Sequence, residues 1–383
     1  MKFPKGFLFG SATSAHQTEG GNTNSDWYKW EQTPGNIQDG STSLVAADSW
    51  NKWREDIKLL KETGQNAYRF SVEWARIEPK EGKFDQKAID HYKEILTELK
   101  KNNITSMVTL HHFTNPLWLA GIGGFTNSKS ARYFTRYALK IAEELGEPID
   151  LLATFNEPKV YILKGYIQKE WYPAEKNYFQ AFLAWKNITK AHNLAYKEIK
   201  KMSNLPVGIV QNISAYEANK PSIINNLLVL FAKFIDNDIF MIPLKNNFDF
   251  LGINYYMKFK IQLTKPHVSW ASTLKNDYGW SISQEGLYQV IMENIHWKKP
   301  IYITENGVAD EKDTIRPEFI NQALENLLKA IKNNADIRGY FYWSLLDNFE
   351  WASGYSMKFG LATIDRKLRH SAKVYKELID KYS

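Results

Sequence analysis

Short apolar segments alternate with helical segments eight times along this chain. The apolar segments cover 7–13, 66–74, 104–113, 150–158, 205–214, 249–256, 300–307 and 337–347. Strands that alternate with helices form parallel sheets through right-handed crossovers. Eight such units fit a closed barrel better than an open sheet. The alternation therefore predicts an α/β chain folded as a (β/α)8 TIM barrel.

The segments between the strands have helical periodicity. Helices are predicted at 45–62, 86–101, 128–145, 178–201, 223–240, 281–295 and 316–333. In the first of these, Val45, Trp50, Trp53 and Ile57 fall on one face, as in an amphipathic helix. The chain contains no obvious linker or internal repeat, so we predict one domain spanning residues 1–383.

Polar side chains collect where the predicted strands end. Asn156-Glu157 closes the fourth strand, and Glu305-Asn306 closes the seventh. The active site of such a barrel lies at the carboxyl ends of its strands. We therefore expect both glutamates to face one site, together with polar and aromatic residues near the other strands: Gln17, Arg69, His112, Asn254, Tyr256, Trp343, Glu350 and Trp351.

This set of residues suits chemistry on a sugar. Paired carboxylates are the catalytic groups of most glycoside hydrolases, in which one protonates the leaving oxygen and the other attacks the anomeric carbon or activates water. Amides, imidazoles and carboxylates can bind several hydroxyls, and Trp343 and Trp351 can stack on the apolar face of a pyranose. Trp118 and Trp171 are weaker candidates for the outer part of the same cleft.

Each motif has a simpler interpretation when taken alone. Asn-Glu-Pro also occurs at helix starts, Thr-Glu-Asn-Gly also suits a turn, and Arg69 could serve only as an ion-pair partner. The pair His111-His112 resembles a metal site, but adjacent strand residues point to opposite faces of a sheet. We therefore expect neither a metal nor a cofactor, and a sugar-binding barrel without activity stays an alternative.

Composition limits the other classes of function. The net charge of +7 suggests a nucleic-acid-binding protein, but the lysines are spread along the predicted helices. No segment approaches the ~18 apolar residues of a membrane span. The sequence has no cysteine, and the apolar stretch near its start is too short for a secretory signal. We expect a cytoplasmic protein with a small carbohydrate substrate, no nucleic-acid partner and no membrane partner; the oligomeric state stays open.

Several ordered blocks of the sequence resemble glycoside hydrolase family 1, the retaining β-glucosidase and β-galactosidase family. They are FLFGSATSAHQTEGG, YRFSVEWARIEP, TLHHF, TFNEP, GINYY, ITENG and GYFYWSLLDNFEW. The resemblance implies that Glu157 is the general acid/base and Glu305 the nucleophile. It further implies that Arg69 and Tyr256 contact Glu305 and keep it ionised, and that the following residues bind sugar: Gln17, His112, Asn156, Trp343, Glu350 and Trp351. We also expect Tyr256 to contact the substrate and Asn254 to support the site.

The chain also departs from the family pattern. The region 203–250 is shorter than in most members, so the resemblance does not predict the shape of the outer cleft. Phe113 stands where many members have tryptophan. The phospho-sugar branch of the family has a lysine and a tyrosine that bind the phosphate, and this chain has Met357 and Phe359 at those positions. That branch also replaces the tryptophan that this chain keeps as Trp351. A 6-phospho-β-glycosidase is therefore the less favoured alternative.

Overall fold

Eight parallel strands close into a barrel in a computed structural model of the chain, which describes residues 2–244 and 247–383. The predicted TIM barrel is thus confirmed. Its strands are β1 (Leu8–Ala12), β2 (Ala67–Ser71), β3 (Thr105–His111), β4 (Leu151–Asn156), β5 (Val207–Asn212), β7 (Phe250–Asn254), β10 (Ile301–Asn306) and β11 (Ile337–Trp343).

A small separate sheet, which the periodicity did not predict, accompanies the barrel. It consists of β6 (Ala215–Ala218), β8 (Lys258–Ile261) and β9 (Val268–Trp270), with β8 in the middle. Strands β6 and β8 are parallel, whereas β8 and β9 are antiparallel. Since β6 follows β5 and β8 follows β7 in the chain, the sheet extends the protein beyond the carboxyl ends of those two barrel strands.

Long helices connect the barrel strands, and shorter ones lie in the loops. They are α1 (Ala15–Thr18), α2 (Asp26–Glu31), α3 (Ser49–Glu62), α4 (Trp74–Ile77), α5 (Gln86–Lys101), α6 (Leu117–Ala120), α7 (Ser130–Leu145), α8 (Pro158–Ile162), α9 (Tyr178–Met202), α10 (Ile223–Lys233), α11 (Glu285–Asn294), α12 (Arg316–Lys332) and α13 (His370–Tyr382). None of these helices combines the length and the apolar composition needed to cross a bilayer.

Helix α5 shows how the local sequence determines an element. The side chain of Asp85 accepts hydrogen bonds from the backbone nitrogens of Lys87 and Ala88, so it caps the helix start. The buried side chains recur at helical spacing and cover one face: Ala88, Ile89, Tyr92, Ile95, Leu96 and Leu99. The observed bounds are those predicted from this periodicity.

Three predicted helices differ at their boundaries by four residues or more, and the one predicted at 281–295 begins as α11 only at Glu285. Helix α3 begins at Ser49 rather than at residue 45, because Ala46 and Asp48 have left-handed backbone angles, and Val45 is exposed rather than part of the buried face. The helix predicted at 223–240 ends as an α-helix at Lys233 and continues as a π-helical turn, Phe234–Asp238. Residue periodicity does not report these changes, since the start of α3 depends on the backbone angles of Ala46 and Asp48, and the π-helical turn differs from an α-helix only in the spacing of its hydrogen bonds.

The apolar core has two layers. A larger cluster fills the space between the strands and the surrounding helices. A smaller cluster contains one or two residues from seven barrel strands and fills the inside of the barrel: Ala12, Ala67, Met107, Leu151, Phe250, Tyr302, Phe341 and Trp343. The inside of the barrel is therefore filled by side chains, as in other TIM barrels. The polar site lies beyond them, at the carboxyl ends of the strands.

Candidate active site

A cleft of about 580 Å³ opens at the carboxyl ends of the barrel strands. Eight of the predicted site residues line it: His112, Asn156, Glu157, Tyr256, Glu305, Trp343, Glu350 and Trp351. The other three, Gln17, Arg69 and Asn254, are fully buried and lie directly behind the lining residues, to which they donate hydrogen bonds. The structure thus brings all eleven together in one region.

Glu157 lies just beyond β4, where the strand changes into helix α8. Its backbone has left-handed angles (φ 42°, ψ 53°), and Pro158 occupies the first helical position. Oε1 of its carboxyl accepts a hydrogen bond of 2.7 Å from Nδ2 of Asn254 and one of 3.1 Å from Nδ2 of Asn212. The proline and the left-handed turn therefore end the strand and direct this carboxyl into the cleft.

Glu305 is the second-to-last residue of strand β10, and its carboxyl faces the guanidinium of Arg69. Nη1 of Arg69 donates to its Oε1 at 2.6 Å, and the hydroxyl of Tyr256 donates to its Oε2 at 2.8 Å. The pairing of β10 with both neighbouring strands becomes irregular between Ile303 and the end of the strand. Such irregularities redirect side chains, and here the redirected residue is the one that approaches Arg69.

Arg69 holds several groups of the site at once. Besides Glu305, its guanidinium donates to Oγ1 of Thr109 at 3.2 Å, to the carbonyl oxygen of Thr304 at 3.1 Å and to Oδ1 of Asn156 at 2.6 Å. A fully buried charge needs such partners to be tolerated. Arginine provides the donors in a fixed plane, so it orients Glu305 and Asn156 relative to each other.

The side chain of Asn156 is fixed by its carbonyl oxygen. Oδ1 accepts hydrogen bonds from both Arg69 and Nδ2 of Asn254. Its amide nitrogen is consequently directed to the other side, where it lies 3.1 Å from Nε2 of His112. Both residues line the cleft, so they present hydrogen-bonding groups to a ligand next to the two glutamates.

Gln17 and Glu350 form a second polar corner. Nε2 of Gln17 lies 3.2 Å from Oε2 of Glu350 and 2.9 Å from Oδ1 of Asn348, while Ser14 donates to Oε1 of Gln17 at 2.7 Å. Gln17 is fully buried and is not on the cleft wall, whereas Glu350 lines it. Direct contact between Gln17 and a sugar stays a prediction; the structure places its amide next to the carboxyl of Glu350.

Aromatic rings form one wall of the cleft. The ring of His112 is nearly parallel to those of Trp343 and Trp351, at centroid distances of 6.0 Å each. Trp351 also packs against Phe113 and Trp171. Phe113, at the position where many members of the similar family have tryptophan, also lines the cleft. Together these rings form a flat, apolar wall of the kind on which a sugar ring can stack.

Burial raises the pKa values of three carboxyls in the cleft. Burial and then the negative charge of Glu305 raise the pKa of Glu157 to about 7. The same two causes raise the pKa of Glu350 to about 8. Burial also raises the pKa of Glu305, although Arg69 and the hydroxyl of Tyr256 oppose that shift. Since Glu305 alone of the three accepts a hydrogen bond from a guanidinium, it is the carboxyl that ionises most readily.

Two further side chains keep a defined protonation state. Burial and the nearby charge of Arg69 hold the pKa of His112 well below its usual value, so the imidazole is neutral near pH 7. Burial and the charge of Glu305 hold the pKa of Tyr256 well above 10. The Tyr256 hydroxyl therefore remains protonated and can keep donating to Glu305.

Sequence reasoning missed several residues of the cleft. Asn212 closes β5, where the strand-end rule does expect polar groups, but it was not assigned a role in the site. Tyr278 and Trp280 line the cleft from the segment between β9 and α11, where no strand end marks them. Of the two weaker tryptophan candidates, Trp171 lines the cleft, but Trp118 is turned away and donates to the carbonyl oxygen of Glu78.

The adjacent histidines lie in different environments, as expected from their strand. His111 lies 3.2 Å from Oδ1 of Asn115, in the layer between strands and helices, whereas His112 faces the cleft. Within residues 2–244 and 247–383, no group of three or more histidine, aspartate or glutamate side chains is arranged to hold a metal ion.

A TIM barrel with two buried glutamates at its strand ends, one of them beside an arginine, defines the class of glycoside hydrolases. Comparisons with known proteins give the particular family. The model of glycosyl hydrolase family 1 matches residues 1–229 and 215–383. The chain therefore belongs to this family, and it is a retaining β-glycosidase that hydrolyses O-glycosyl bonds.

Individual relatives agree with this assignment. The chain is 34% identical to β-glucosidase A of Acetivibrio thermocellus, over 99% of this chain and 98% of the relative. It is 30% identical to a β-galactosidase of Sulfolobus acidocaldarius, over 99% and 95% of the two chains. The solved β-glucosidase of Thermotoga maritima in complex with glucoimidazole superposes with a TM-score of 0.95, at 30% identity, over 100% of this chain and 99% of that one.

Proposed function

We propose that Glu305 is the nucleophile and Glu157 the general acid/base of this glycosidase. The observation that supports the assignment is the asymmetry of their surroundings. Arg69 and Tyr256 donate to Glu305 and favour its anion, whereas the hydrogen bonds that described residues give to Glu157 come from the uncharged amides of Asn254 and Asn212. A nucleophile must be ionised and an acid protonated at the same pH.

The first step is glycosyl transfer to the enzyme. The carboxylate of Glu305 attacks the anomeric carbon and forms an ester bond while the bond from that carbon to the leaving oxygen breaks. The proton of Glu157 moves to the leaving oxygen, so the aglycone departs as a neutral alcohol. The oxygen of Glu305 approaches from the face opposite the leaving group, which inverts the anomeric centre once.

The second step is hydrolysis of this ester. Ester formation removes the negative charge from Glu305, and that charge is one of the causes that raise the pKa of Glu157. The pKa of Glu157 consequently falls, and its carboxylate accepts a proton from water as the water attacks the anomeric carbon. Glu305 leaves as a carboxylate, the centre is inverted a second time, and the sugar is released with its original β configuration.

The remaining residues would bind the terminal sugar. The amide nitrogen of Asn156, which lies on the cleft wall 3.1 Å from Nε2 of His112, suits the hydroxyl next to the anomeric carbon. Neutral His112 and the corner of Gln17 and Glu350 suit the more distant hydroxyls. Trp343 and Trp351 suit the apolar face and edge of the ring. No step of this scheme requires a metal or a cofactor.

The proposed substrates are glycosides or oligosaccharides with a terminal non-reducing β-linked residue of the glucose or galactose type. The relatives named β-glucosidase and β-galactosidase support this substrate class. Phosphorylated sugars are disfavoured, since Phe359 on the cleft wall and the nearby Met357 offer neither a charge nor a hydroxyl.

Hydrolysis of a panel of p-nitrophenyl β-glycosides tests this proposal. We expect the wild type to release nitrophenol from the glucoside or the galactoside, and Glu305→Gln to lose nearly all activity on both. The Glu350→Gln variant is the comparison, because it removes a proposed sugar-binding carboxyl and neither catalytic group, so it should raise KM and keep more activity than Glu305→Gln. Equal loss of activity on every substrate in all variants, or an inactive wild type, would contradict the proposed roles.

Two broader proposals accompany the catalytic one. We propose that residues 1–383 fold as a single domain, which a single cooperative unfolding transition followed by both circular dichroism and activity would support. We also propose a cytoplasmic location, with which a chain without cysteine is compatible. Cell fractionation with activity in the periplasmic or secreted fraction would contradict that location.

A further inference from the structure

Helix α10 and the turns that follow it expose an unusual amount of apolar surface. Ile223 is 82% exposed and Phe231 is 65% exposed. Seven further large apolar side chains of the same segment are each more than a third exposed. We call these nine residues the α10 patch: Ile223, Ile224, Leu227, Leu230, Phe231, Phe234, Ile235, Ile239 and Ile242.

The α10 patch is too large to be ordinary surface. Single exposed apolar residues are common, but contiguous patches above a few hundred Å² mark interaction sites. The exposed fractions of these nine side chains together amount to about five whole side chains of Leu, Ile or Phe. Neighbouring positions recur at intervals of three and four along α10, so the exposed side chains form one stripe.

Polar residues hold the helix in this orientation. Asn225 is buried, with its Nδ2 donating to the carbonyl oxygen of Lys220 at 2.8 Å and its Oδ1 accepting from the backbone nitrogen of Leu263 at 3.0 Å. Asn237 is also buried and makes two hydrogen bonds with the backbone of Ser214. The segment is therefore anchored through asparagines, and its apolar residues remain directed outward.

Positive charge borders the patch at the start of α10. Lys220 precedes the helix, and Lys265 lies in the turn between β8 and β9, close to Leu263, which contacts Asn225. Both lysines are exposed, and neither forms an ion pair with a carboxylate of the described residues. The whole chain also has a net charge of +7. At this end of α10 the apolar stripe is bordered by lysines and is complementary to an anionic lipid surface, whereas Asp236 and Asp238 lie at its other end, in the π-helical turn.

We propose that the α10 patch docks this glycosidase on the surface of a membrane that contains anionic lipids. The apolar side chains would enter the boundary between headgroups and acyl chains, and Lys220 and Lys265 would contact the headgroups. The eleven residues of α10 are too few to cross a bilayer, so the contact is peripheral. This proposal departs from the sequence-based expectation of no membrane partner.

A second copy of the chain is the competing occupant, and charge favours the membrane. Two copies that each have a net charge of +7 repel one another, whereas an anionic surface attracts the same charge. The position of the patch is also relevant to catalysis. The π-helical turn that contributes Phe234 and Ile235 to the patch contributes Asp236 to the wall of the cleft. Docking would therefore place the entrance of the cleft close to the lipid surface.

Flotation with lipid vesicles tests the proposal. The full chain is mixed with vesicles of phosphatidylcholine alone or with phosphatidylglycerol added, and the bound fraction is measured at low and high salt. We expect binding to the anionic vesicles that weakens as salt increases. Leu227→Ser/Phe231→Ser should lower the partition coefficient at least about tenfold, and Lys220→Gln/Lys265→Gln should lower it roughly tenfold at low salt.

A matched control separates the patch from general hydrophobicity. Leu44 and Val45 are also exposed, but they lie between β1 and β2, across the closed barrel from β5. Leu44→Ser/Val45→Ser should bind vesicles like the wild type, and all three double variants should hydrolyse a soluble nitrophenyl glycoside at the wild-type rate. Wild type that stays unbound at every lipid composition overturns the proposal. A concentration-dependent dimer, measured by light scattering and abolished by Leu227→Ser/Phe231→Ser, overturns it in favour of a second copy.

Discussion

Arg69 and Glu305 are 236 positions apart in the chain, yet Nη1 of the arginine lies 2.6 Å from Oε1 of the glutamate. Both side chains are almost completely buried. A buried ion pair of this kind is maintained only if further hydrogen bonds satisfy both partners, and Thr304, Asn156 and Tyr256 provide them. This contact distinguishes the two proposed catalytic glutamates, because Glu157 accepts its hydrogen bonds from amides.

The pH dependence of the reaction should follow this distinction. We expect kcat/KM to be bell-shaped. Activity should fall at low pH, where Glu305 gains a proton and can no longer attack, and at high pH, where Glu157 loses the proton it must donate. Since the pKa of Glu157 is raised to about 7, the basic limb should lie near neutral pH. The two apparent pKa values belong to the coupled pair.

The variant Glu157→Gln serves as the control for this profile. With a substrate whose leaving group needs no protonation, such as a dinitrophenyl glycoside, the variant should keep the acidic limb and lose the basic limb. A basic limb that persists unchanged in Glu157→Gln would show that another group is the acid.

Replacement of Arg69 tests the role of the guanidinium. Arg69→Lys keeps a positive charge but cannot reach Thr109, Thr304, Glu305 and Asn156 together. We expect kcat/KM to fall by about 10²–10³, as for the loss of other preorganised electrostatic contacts, and the acidic limb to move to higher pH because Glu305 ionises less readily. A variant with reduced activity and an unmoved acidic limb would limit Arg69 to a structural role.

Gly307 tests the packing behind the aromatic wall. A Cβ atom at this position would lie 1.9 Å from the carbonyl oxygen of Trp343, which is backbone and has no room to move aside. Gly307→Ala should therefore displace Trp343 and lower kcat/KM by about tenfold to a hundredfold. Gly121→Ala is the control, since its Cβ would make a tight contact of 3.2 Å with the carbonyl oxygen of Leu117 but would not overlap it as at Gly307. Equal activity of both variants would contradict this role of Trp343.

Discrimination against phosphorylated sugars follows from the cleft wall. A 6-phosphate would add negative charge to a site that already contains three buried carboxyls, and Met357 and Phe359 cannot neutralise it. We expect kcat/KM for a nitrophenyl β-glycoside to exceed that for its 6-phosphate by at least about 10², measured with the same sugar in both substrates. A faster reaction of the phosphorylated substrate would contradict the proposed sugar contacts.

The sequence was sufficient to predict the barrel and eight of the residues that line the cleft. Alternating periodicity indicated eight strands, and the rule that barrel sites lie at strand ends selected Glu157 and Glu305 before any contact was known. Family resemblance added residue roles that periodicity cannot supply. Neither source indicated that Gln17 is fully buried behind Glu350, because burial depends on how distant segments pack.

Other features depended on backbone geometry and on long-range electrostatics. The left-handed residues Ala46 and Asp48, which delay the start of α3, have no periodic signal. The raised pKa of Glu350 arises from burial and from the charge of Glu305, so it becomes evident only when the two carboxyls are placed in one cleft. The exposure of the α10 patch also depends on how distant segments pack, because the sequence of this helix is typical of a buried one.

Chemical rescue by azide is the most direct test of the two glutamate roles. In Glu157→Ala the covalent intermediate still forms from a dinitrophenyl β-glycoside, and azide then attacks it from the β face. In Glu305→Ala the nucleophile is missing, so azide takes its place and attacks the substrate from the α face. The account predicts a β-glycosyl azide from Glu157→Ala and an α-glycosyl azide from Glu305→Ala, distinguished by NMR of the products. The same anomer from both variants would contradict it.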